Sequence, residues 1–242
     1  MFFIIAVYAL INIFNWYTYK KKTENETDFV VAISEMQHVS STENAIYYDN
    51  SEFIKNLDFL DINFDNLIQA NSDTVGWIHV NGTNINYPFV QANDNSFYLN
   101  HSFNKVYNPA GWIFLDFRNN VNLNDKNTII YGHAMNDGTM FSSLNNVLTD
   151  NWTNNKDNHF VRISTKSCNS IWQVFSVYST PTTTDYLKID FDSGFAADLM
   201  HRSVFDFDVT VNDNDKILTL STCYNKTDKT VLHAKLVAVM AY

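Results

Sequence analysis

The sequence predicts a mainly β protein, a closed barrel of eight strands with a helical cap on its N-terminal side. From residue 75 onward, short apolar and β-branched segments alternate with turns rich in Asn, Gly and Asp. The pair Asn81-Gly82 between the first two segments is a strong hairpin signal. The eight predicted strands cover residues 75–80, 84–90, 111–116, 128–132, 159–164, 171–179, 216–222 and 231–239.

Helices are predicted in three places. Residues 51–70 carry Leu57, Leu60, Phe64 and Leu67 at helical spacing, which predicts one amphipathic helix packed on the barrel. Two shorter helices are predicted at residues 140–148 and at residues 193–203, the latter within the long connection before the strand 216–222.

Residues 1–19 form a different kind of segment, almost wholly apolar, with an aromatic edge and three lysines directly after it. Nineteen helical residues span about 28 Å, enough for the core of a bilayer. We therefore predict a single membrane anchor at residues 1–19, rather than a buried helix or a signal peptide, which would need a small-residue cleavage site. Residues 20–50 are polar and acidic and predict a stalk or a loosely packed helix. The folded domain is expected at residues 51–242, with its barrel at 75–242.

The composition narrows the function classes. A net charge of −10 argues against a nucleic-acid-binding protein, which normally has a basic face. No CxxC or HExxH motif and no His/Cys cluster with ligand spacing is present, so neither a metal nor an organic cofactor is expected. Of the two cysteines, Cys168 is expected to be an ordinary small residue near a turn, without a disulfide to Cys223.

Two predicted strands end in chemically reactive residues. The strand 216–222 is followed by Cys223, and the strand 128–132 is followed by His133. Nucleophilic thiol catalysis needs an imidazole within reach of the sulfur, with both groups held by rigid elements. The pattern therefore indicates a Cys/His enzyme with Cys223 as nucleophile and His133 as general acid and base. His233, in an alternating strand, is a weaker candidate for the base.

From about Leu57 to its C-terminus, the chain carries a series of ordered blocks: Val75-Gly76-Trp77-Ile78, Ile85-Asn86-Tyr87-Pro88, Asp94-Asn95 with Tyr98-Leu99, Gly111-Trp112-Ile113-Phe114-Leu115-Asp116, Tyr131-Gly132-His133, Leu218-Thr219-Leu220-Ser221-Thr222-Cys223 and His233-Ala234-Lys235-Leu236. In these blocks and their order, the chain resembles the class B sortases, membrane-anchored cysteine transpeptidases of Gram-positive bacteria. The resemblance implies an eight-stranded sortase-type β-barrel.

The resemblance also implies a reaction and its partners. Such enzymes recognise a C-terminal sorting signal, similar to Asn-Pro-x-Thr, on a secreted protein. The cysteine attacks the threonine carbonyl, the downstream peptide leaves, and an amine resolves the thioester. That amine belongs to a peptidoglycan cross-bridge or to a pilin lysine.

The third catalytic residue departs from the family pattern. The family has an arginine four residues before the block that begins with His233, and here that position is Lys229. Lysine supplies positive charge and a donor, but it lacks the rigid fork of a guanidinium. Lys226 is the alternative candidate. All three arginines of the chain precede Cys223.

The resemblance implies further substrate-binding residues. Asn95 and Leu99 match positions that line the groove for the signal peptide, and Tyr131 and Ser221 flank the catalytic pair. Tyr186, in the long connection, is expected to close over the substrate. The alternative to substrate binding is a structural role for each residue. Asn95 would then be a turn residue, Leu99 and the two tyrosines core residues, and Ser221 an ordinary strand residue.

Two other functions stay open from the sequence. One is a cysteine peptidase that uses water as acceptor, and the other is a weakly active protein that binds sorting signals, an option raised by Lys229. Sortase function requires a single-pass protein of the cell membrane with an extracellular catalytic domain. The lysines after residue 19 oppose this orientation by the positive-inside rule, so we expect basic residues upstream of Met1 in the gene product.

Overall fold

The apolar N-terminal segment is the first part of one long helix. In the computed structural model, which describes residues 2–40, 44–49, 51–222 and 228–242, helix α1 runs from Phe2 to Ser34 and is long and apolar enough to cross a membrane. Its last turns bury Thr23, Glu26 and Val30, which share one helix face, against the rest of the protein. The predicted stalk at 20–50 is thus, up to Ser34, the packed end of a continuous helix.

The described residues after α1 form four further helices and eleven strands. The helices are α2 (Glu52–Lys55), α3 (Phe64–Ala70), α4 (Asp150–Thr153) and α5 (Phe195–His201), with 3₁₀ helices at Phe97–Leu99, Ser142–Leu148 and Lys156–Asn158. The strands are β1 (Gln37–Val39), β2 (Ala45–Tyr47), β3 (Phe59–Asp61), β4 (Thr74–Val80), β5 (Asn86–Val90), β6 (Phe114–Leu115), β7 (Asn127–Gly132), β8 (Phe160–Ser164), β9 (Cys168–Pro181), β10 (Ile217–Thr222) and β11 (Asp228–Ala241).

The prediction of a single helix at 51–70 is wrong, because α2, β3 and α3 occupy this range. Asn56 caps the end of α2, and the side chain of Asn63 caps the start of α3 by accepting a hydrogen bond from the Asp65 amide. Asparagine favours such helix ends over helix interiors. Between the caps, β3 pairs with β1 and buries Phe59 and Leu60.

The predicted eight-stranded barrel is confirmed. The strand order is β10-β7-β6-β5-β4-β8-β9-β11, and pairing of β10 with β11 closes the sheet on itself. Strand β2 adds to the free edge of β11. Each of the eight predicted segments overlaps one barrel strand, and α5 lies in the predicted helix of the long connection.

The two faces of β10 pack against different layers. Leu218 and Leu220 belong to the main core inside the barrel. Ile217 belongs to a second buried cluster, which the long connection and α5 cover from outside. Thr219 and Ser221 alternate along β10 with Leu218 and Leu220, so their side chains point to the second cluster. There they form hydrogen bonds that hold β10 in place next to the site.

Candidate active site

Strands β7 and β10 end side by side. They pair in parallel, with Ser221 beside Tyr131 and Thr222 beside Gly132. His133 follows directly after β7 and is half-exposed. Cys223 follows Thr222 in the sequence but lies, like Lys226, outside the described residues. The strand end that precedes the predicted nucleophile is therefore adjacent to the strand end that delivers His133.

A main-chain carbonyl orients the imidazole of His133. Its Nε2 lies 2.7 Å from the carbonyl oxygen of Leu99. Because a carbonyl oxygen only accepts hydrogen bonds, Nε2 carries a hydrogen and donates it. This contact fixes the orientation of the ring and the tautomer with the hydrogen on Nε2. The sequence predicts Leu99 as a groove residue, and the structure adds this contact through its backbone.

The glycine before His133 is required by close packing. A Cβ at Gly132 would lie 2.6 Å from the ring of Phe141, which is fully buried. The Phe141 amide in turn donates a 2.8 Å hydrogen bond to the His133 carbonyl. The Tyr-Gly-His block thus lets a core aromatic side chain approach the backbone and hold His133 at the barrel rim.

Lys229 lies on β11, on the other side of β10 from His133. It is half-exposed, and its backbone pairs with Thr180 of β9. The neighbouring Thr230 amide donates a 3.0 Å hydrogen bond to Oγ1 of Thr222. This bond joins the last described residue of β10 to the start of β11, and it sets the spacing of the two strands beside the predicted nucleophile.

Asn95 and Tyr131 converge on a carboxylate that the sequence analysis did not single out. Asp116 accepts hydrogen bonds from Nδ2 of Asn95 (3.0 Å) and the hydroxyl of Tyr131 (2.9 Å). Arg118 binds the same carboxylate through Nε and Nη2, both at 2.8 Å. Burial would raise the pKa of Asp116, but the hydrogen bonds from Arg118, Tyr131 and Asn95 outweigh it and hold the pKa below its usual value.

This cluster changes the interpretation of Asn95. Its Oδ1 also accepts a 2.9 Å bond from the Phe117 amide, so both ends of its amide brace the turn after β6. The sequence analysis missed the ion pair of Asp116 and Arg118. Two signals could have indicated it: Asp116 ends a family block, and Arg118 is one of only three arginines in the chain.

Tyr186 does not lie over the substrate groove as expected. It is fully buried, and its hydroxyl lies 3.0 Å from Oγ of Ser221, which is also fully buried. Its ring packs edge-on against Tyr178 and His233. We correct the prediction accordingly: in the described structure, Tyr186 joins the long connection to β10 from inside the second cluster.

His233 is a core residue rather than a general base. It is fully buried, with Nδ1 2.9 Å from the hydroxyl of Thr219 and Nε2 3.0 Å from that of Tyr178. Burial, and then the positive charge of Arg202, lower its pKa to about 3. The imidazole is therefore neutral at physiological pH and serves the packing of β11 on β9 and β10.

A polar hollow of about 370 Å³ opens beside the ends of β10 and β11. Its lining includes Asn136, Asn145, Thr222, Asp228 and Thr230. Thr230 donates a 2.5 Å hydrogen bond to Asn145, which ties the hollow to the 3₁₀ helix after His133. Within the described ranges, no group of three or more His, Cys, Asp or Glu side chains is placed to hold a metal ion.

Comparisons with known proteins agree with this arrangement. A family model described as the sortase domain matches residues 78–237. The curated Sortase B of Staphylococcus aureus is 37% identical over 185 residues, which cover 73% of this chain and 75% of that protein.

Solved structures extend the similarity to three dimensions. The S. aureus sortase B–substrate complex superposes with a TM-score of 0.67 at 36% identity, and the match covers 72% of this chain and 84% of that one. A sortase B complexed with triglycine also gives a TM-score of 0.67 at 36% identity, covering 72% and 85%. The barrel, the adjoining strand ends and these matches together show that the chain belongs to the sortase family of cysteine transpeptidases, and within it to class B.

Proposed function

We propose that this protein cleaves an Asn-Pro-x-Thr-like sorting signal and transfers the acyl group, through a thioester on Cys223, to an amine. The thiolate attacks the threonine carbonyl, and the C–N bond breaks as His133 donates a proton to the leaving amine. The incoming amine then attacks the thioester and gives its proton to His133. The C–S bond breaks and the thiolate is restored.

The register of three neighbouring strands carries this proposal. Residue 222 pairs with residue 132 across β10 and β7, and residue 221 pairs with residue 231 across β10 and β11. The described ends of β7, β10 and β11 are therefore neighbours. This adjacency supports the proposed roles of His133, which follows β7, of Cys223, the next residue in the sequence after β10, and of Lys229 near the start of β11.

Lys229 is proposed to stabilise the oxyanion that forms when the thiol attacks. Its ammonium is a single mobile donor, whereas the family arginine offers a planar fork. A lysine in this position supplies the charge with less geometric control. We therefore expect a working enzyme that is slower than an arginine-bearing counterpart.

The polar hollow supports a place for the acceptor amine. It adjoins the described ends of β10 and β11, and Asp228 on its lining is exposed and acidic. A carboxylate beside the strand ends attracts an ammonium group and can orient it toward the thioester. The complex of a sortase B with triglycine supports a short amine-bearing peptide as the ligand class.

The proposed location is the cell membrane, with α1 as a single anchor and the barrel on the outer face. Secreted proteins with C-terminal sorting signals are the proposed clients, and a cross-bridge amine or a pilin lysine is the proposed acceptor. The apolar segment of α1 supports the anchor by its length and composition.

Product analysis by mass spectrometry tests the function. The full chain in lipid nanodiscs is incubated with an Asn-Pro-x-Thr peptide library, with and without triglycine, beside Cys223→Ala and His133→Gln. A new amide that needs triglycine and disappears in both variants supports the transpeptidase. Release of the free acid, unaffected by triglycine, would instead identify a cysteine peptidase. Bound but uncleaved peptide would identify a sorting-signal-binding protein.

A further inference from the structure

The loop Ser102–Asn108 is fastened to helix α1 by buried polar contacts. Oε1 of Glu26 accepts hydrogen bonds from the Ser102 hydroxyl at 2.8 Å and from Nδ2 of Asn104 at 2.6 Å. One turn earlier, Oγ1 of Thr23 accepts a 2.9 Å bond from Nδ2 of Asn108. Glu26 and Thr23 are both buried, so the loop and the helix form one rigid unit.

This loop presents two apolar side chains beside the end of the apolar segment. Val106 is 46% exposed and Tyr107 is 54% exposed. The ring of Tyr107 packs edge-on against Tyr19 of α1, with 6.2 Å between centroids. Tyr19 is the last of the aromatic residues, beginning with Trp16, that end the apolar segment. Aromatic residues at the end of an apolar membrane span are typical of the headgroup level of a bilayer, and Tyr107 contacts one of them.

A hollow of about 630 Å³ lies between α1 and the loop, beside the bonds that join them. Its lining includes the apolar Phe14, Tyr17 and Val106 and the basic Lys21 and Lys22, together with polar residues near the barrel, among them Asn25, Glu26 and Asn104. Phe14 lies five residues, or about 7 Å, deeper along α1 than Tyr19. The lysines belong to a run of three in a chain whose net charge is −10. This arrangement matches the acyl and headgroup layers of an anionic bilayer.

We propose that Val106 and Tyr107, together with Tyr17, Lys21 and Lys22, form a second membrane contact, which we call the seat, and that the seat holds the barrel against an anionic lipid surface. The inference rests on the proposed anchoring by α1 but is distinct from it, because an anchor alone leaves the loop in water. The seat is also connected to the site, since the chain leads from Leu99, whose carbonyl binds His133, directly into this loop. The orientation of the barrel over the membrane is thereby fixed.

Spin-label accessibility in nanodiscs tests the seat. Single cysteines replace Leu10, Val31 or Val106 in the full chain, with Cys168 and Cys223 changed to serine. The nanodiscs contain phosphatidylglycerol and phosphatidylcholine. Val31 is the matched control, an exposed valine on α1 that lies twelve residues, or about 18 Å, beyond Tyr19 on the side of the barrel.

The seat predicts that the ratio of oxygen to nickel-chelate accessibility at residue 106 is several-fold higher than at residue 31 and approaches that at residue 10. Equal ratios at residues 106 and 31, with residue 10 in lipid, would overturn the seat while the anchor stands. Nickel-chelate access at all three residues would overturn the anchor, and the seat with it.

Discussion

Lys229 occupies the position where the family resemblance places an arginine. If its ammonium stabilises the oxyanion, Lys229→Ala should lower the acylation rate by about 10²–10³-fold. Lys229→Arg should raise the rate, because the guanidinium adds a second aligned donor. Stopped-flow or quench-flow acylation with one signal peptide measures both variants. Equal rates for Lys229→Ala and the natural protein would remove Lys229 from the mechanism.

A second prediction concerns Gly132, where a larger residue should disturb both stability and the position of His133. Adding one methyl group in Gly132→Ala brings a Cβ to 2.6 Å from the buried ring of Phe141. Since overpacking of a filled core costs about 1–3 kcal/mol, the variant should be less stable and should displace His133. Chemical denaturation and the acylation rate report the two effects. A fully active Gly132→Ala protein would show that this approach does not position His133.

Residue-level patterns predict the strand ends of the candidate site better than the side-chain contacts around them. His133 is identifiable because a strand ends in it, and the structure places that strand beside β10. Asp116 and Arg118 escape detection because their roles depend on bonds across the turn after β6, which no local pattern encodes. Tyr186 is expected to close over the substrate, but tertiary packing buries it against Ser221, as its competing interpretation as a core tyrosine predicts.

At the scale of elements, the hydrogen bond between Thr230 and Thr222 joins β10 to β11 next to the candidate site. Thr222→Val removes the oxygen that accepts the Thr230 amide and leaves that buried donor without its bond. Such a loss costs about 1–3 kcal/mol, and it should also slow acylation because Lys229 precedes Thr230. Thr222→Ser keeps the hydroxyl and is the matched control. If the valine and serine variants unfold at the same denaturant concentration, the bond does not stabilise the junction.

Strand prediction succeeds where helix prediction fails. Apolar runs bounded by turn residues identify all eight barrel strands, because each run is buried and sharply ended. The spacing of Leu57, Leu60, Phe64 and Leu67 also fits a helix, and only pairing of β3 with β1 selects the observed structure. The sequence predicts a stalk or a loosely packed helix after residue 19, whereas α1 continues to Ser34 and packs on the protein. The packed face was not recognised because it includes Thr23 and Glu26, which are polar.

The whole molecule should lose stability in mild acid because it buries neutral histidines. Burial and neighbouring cations lower the pKa of His233 to about 3 and that of His79 to about 4, both from 6.5. Below pH 6.5 the unfolded chain therefore binds protons that the folded chain does not. The free energy of unfolding then falls by up to about 1.4 kcal/mol per pH unit for each histidine, until the folded-state pKa is reached.

Urea denaturation between pH 4 and 7 measures this loss. In His233→Gln, the slope of unfolding free energy against pH should decrease by about 1.4 kcal/mol per unit in the acid range. His201→Gln, which changes an exposed histidine on α5, is the control and should keep the natural slope. An unchanged slope in His233→Gln would contradict a neutral buried imidazole.

Trapping the acyl-enzyme tests whether Cys223 forms the proposed thioester. The full chain is quenched in acid during turnover of an Asn-Pro-x-Thr peptide, digested with protease and analysed by mass spectrometry. The account predicts a mass increase equal to the acyl fragment on the peptide that contains Cys223, absent in Cys223→Ala and discharged by triglycine. No increase with any signal peptide, while iodoacetamide still alkylates Cys223, would contradict it.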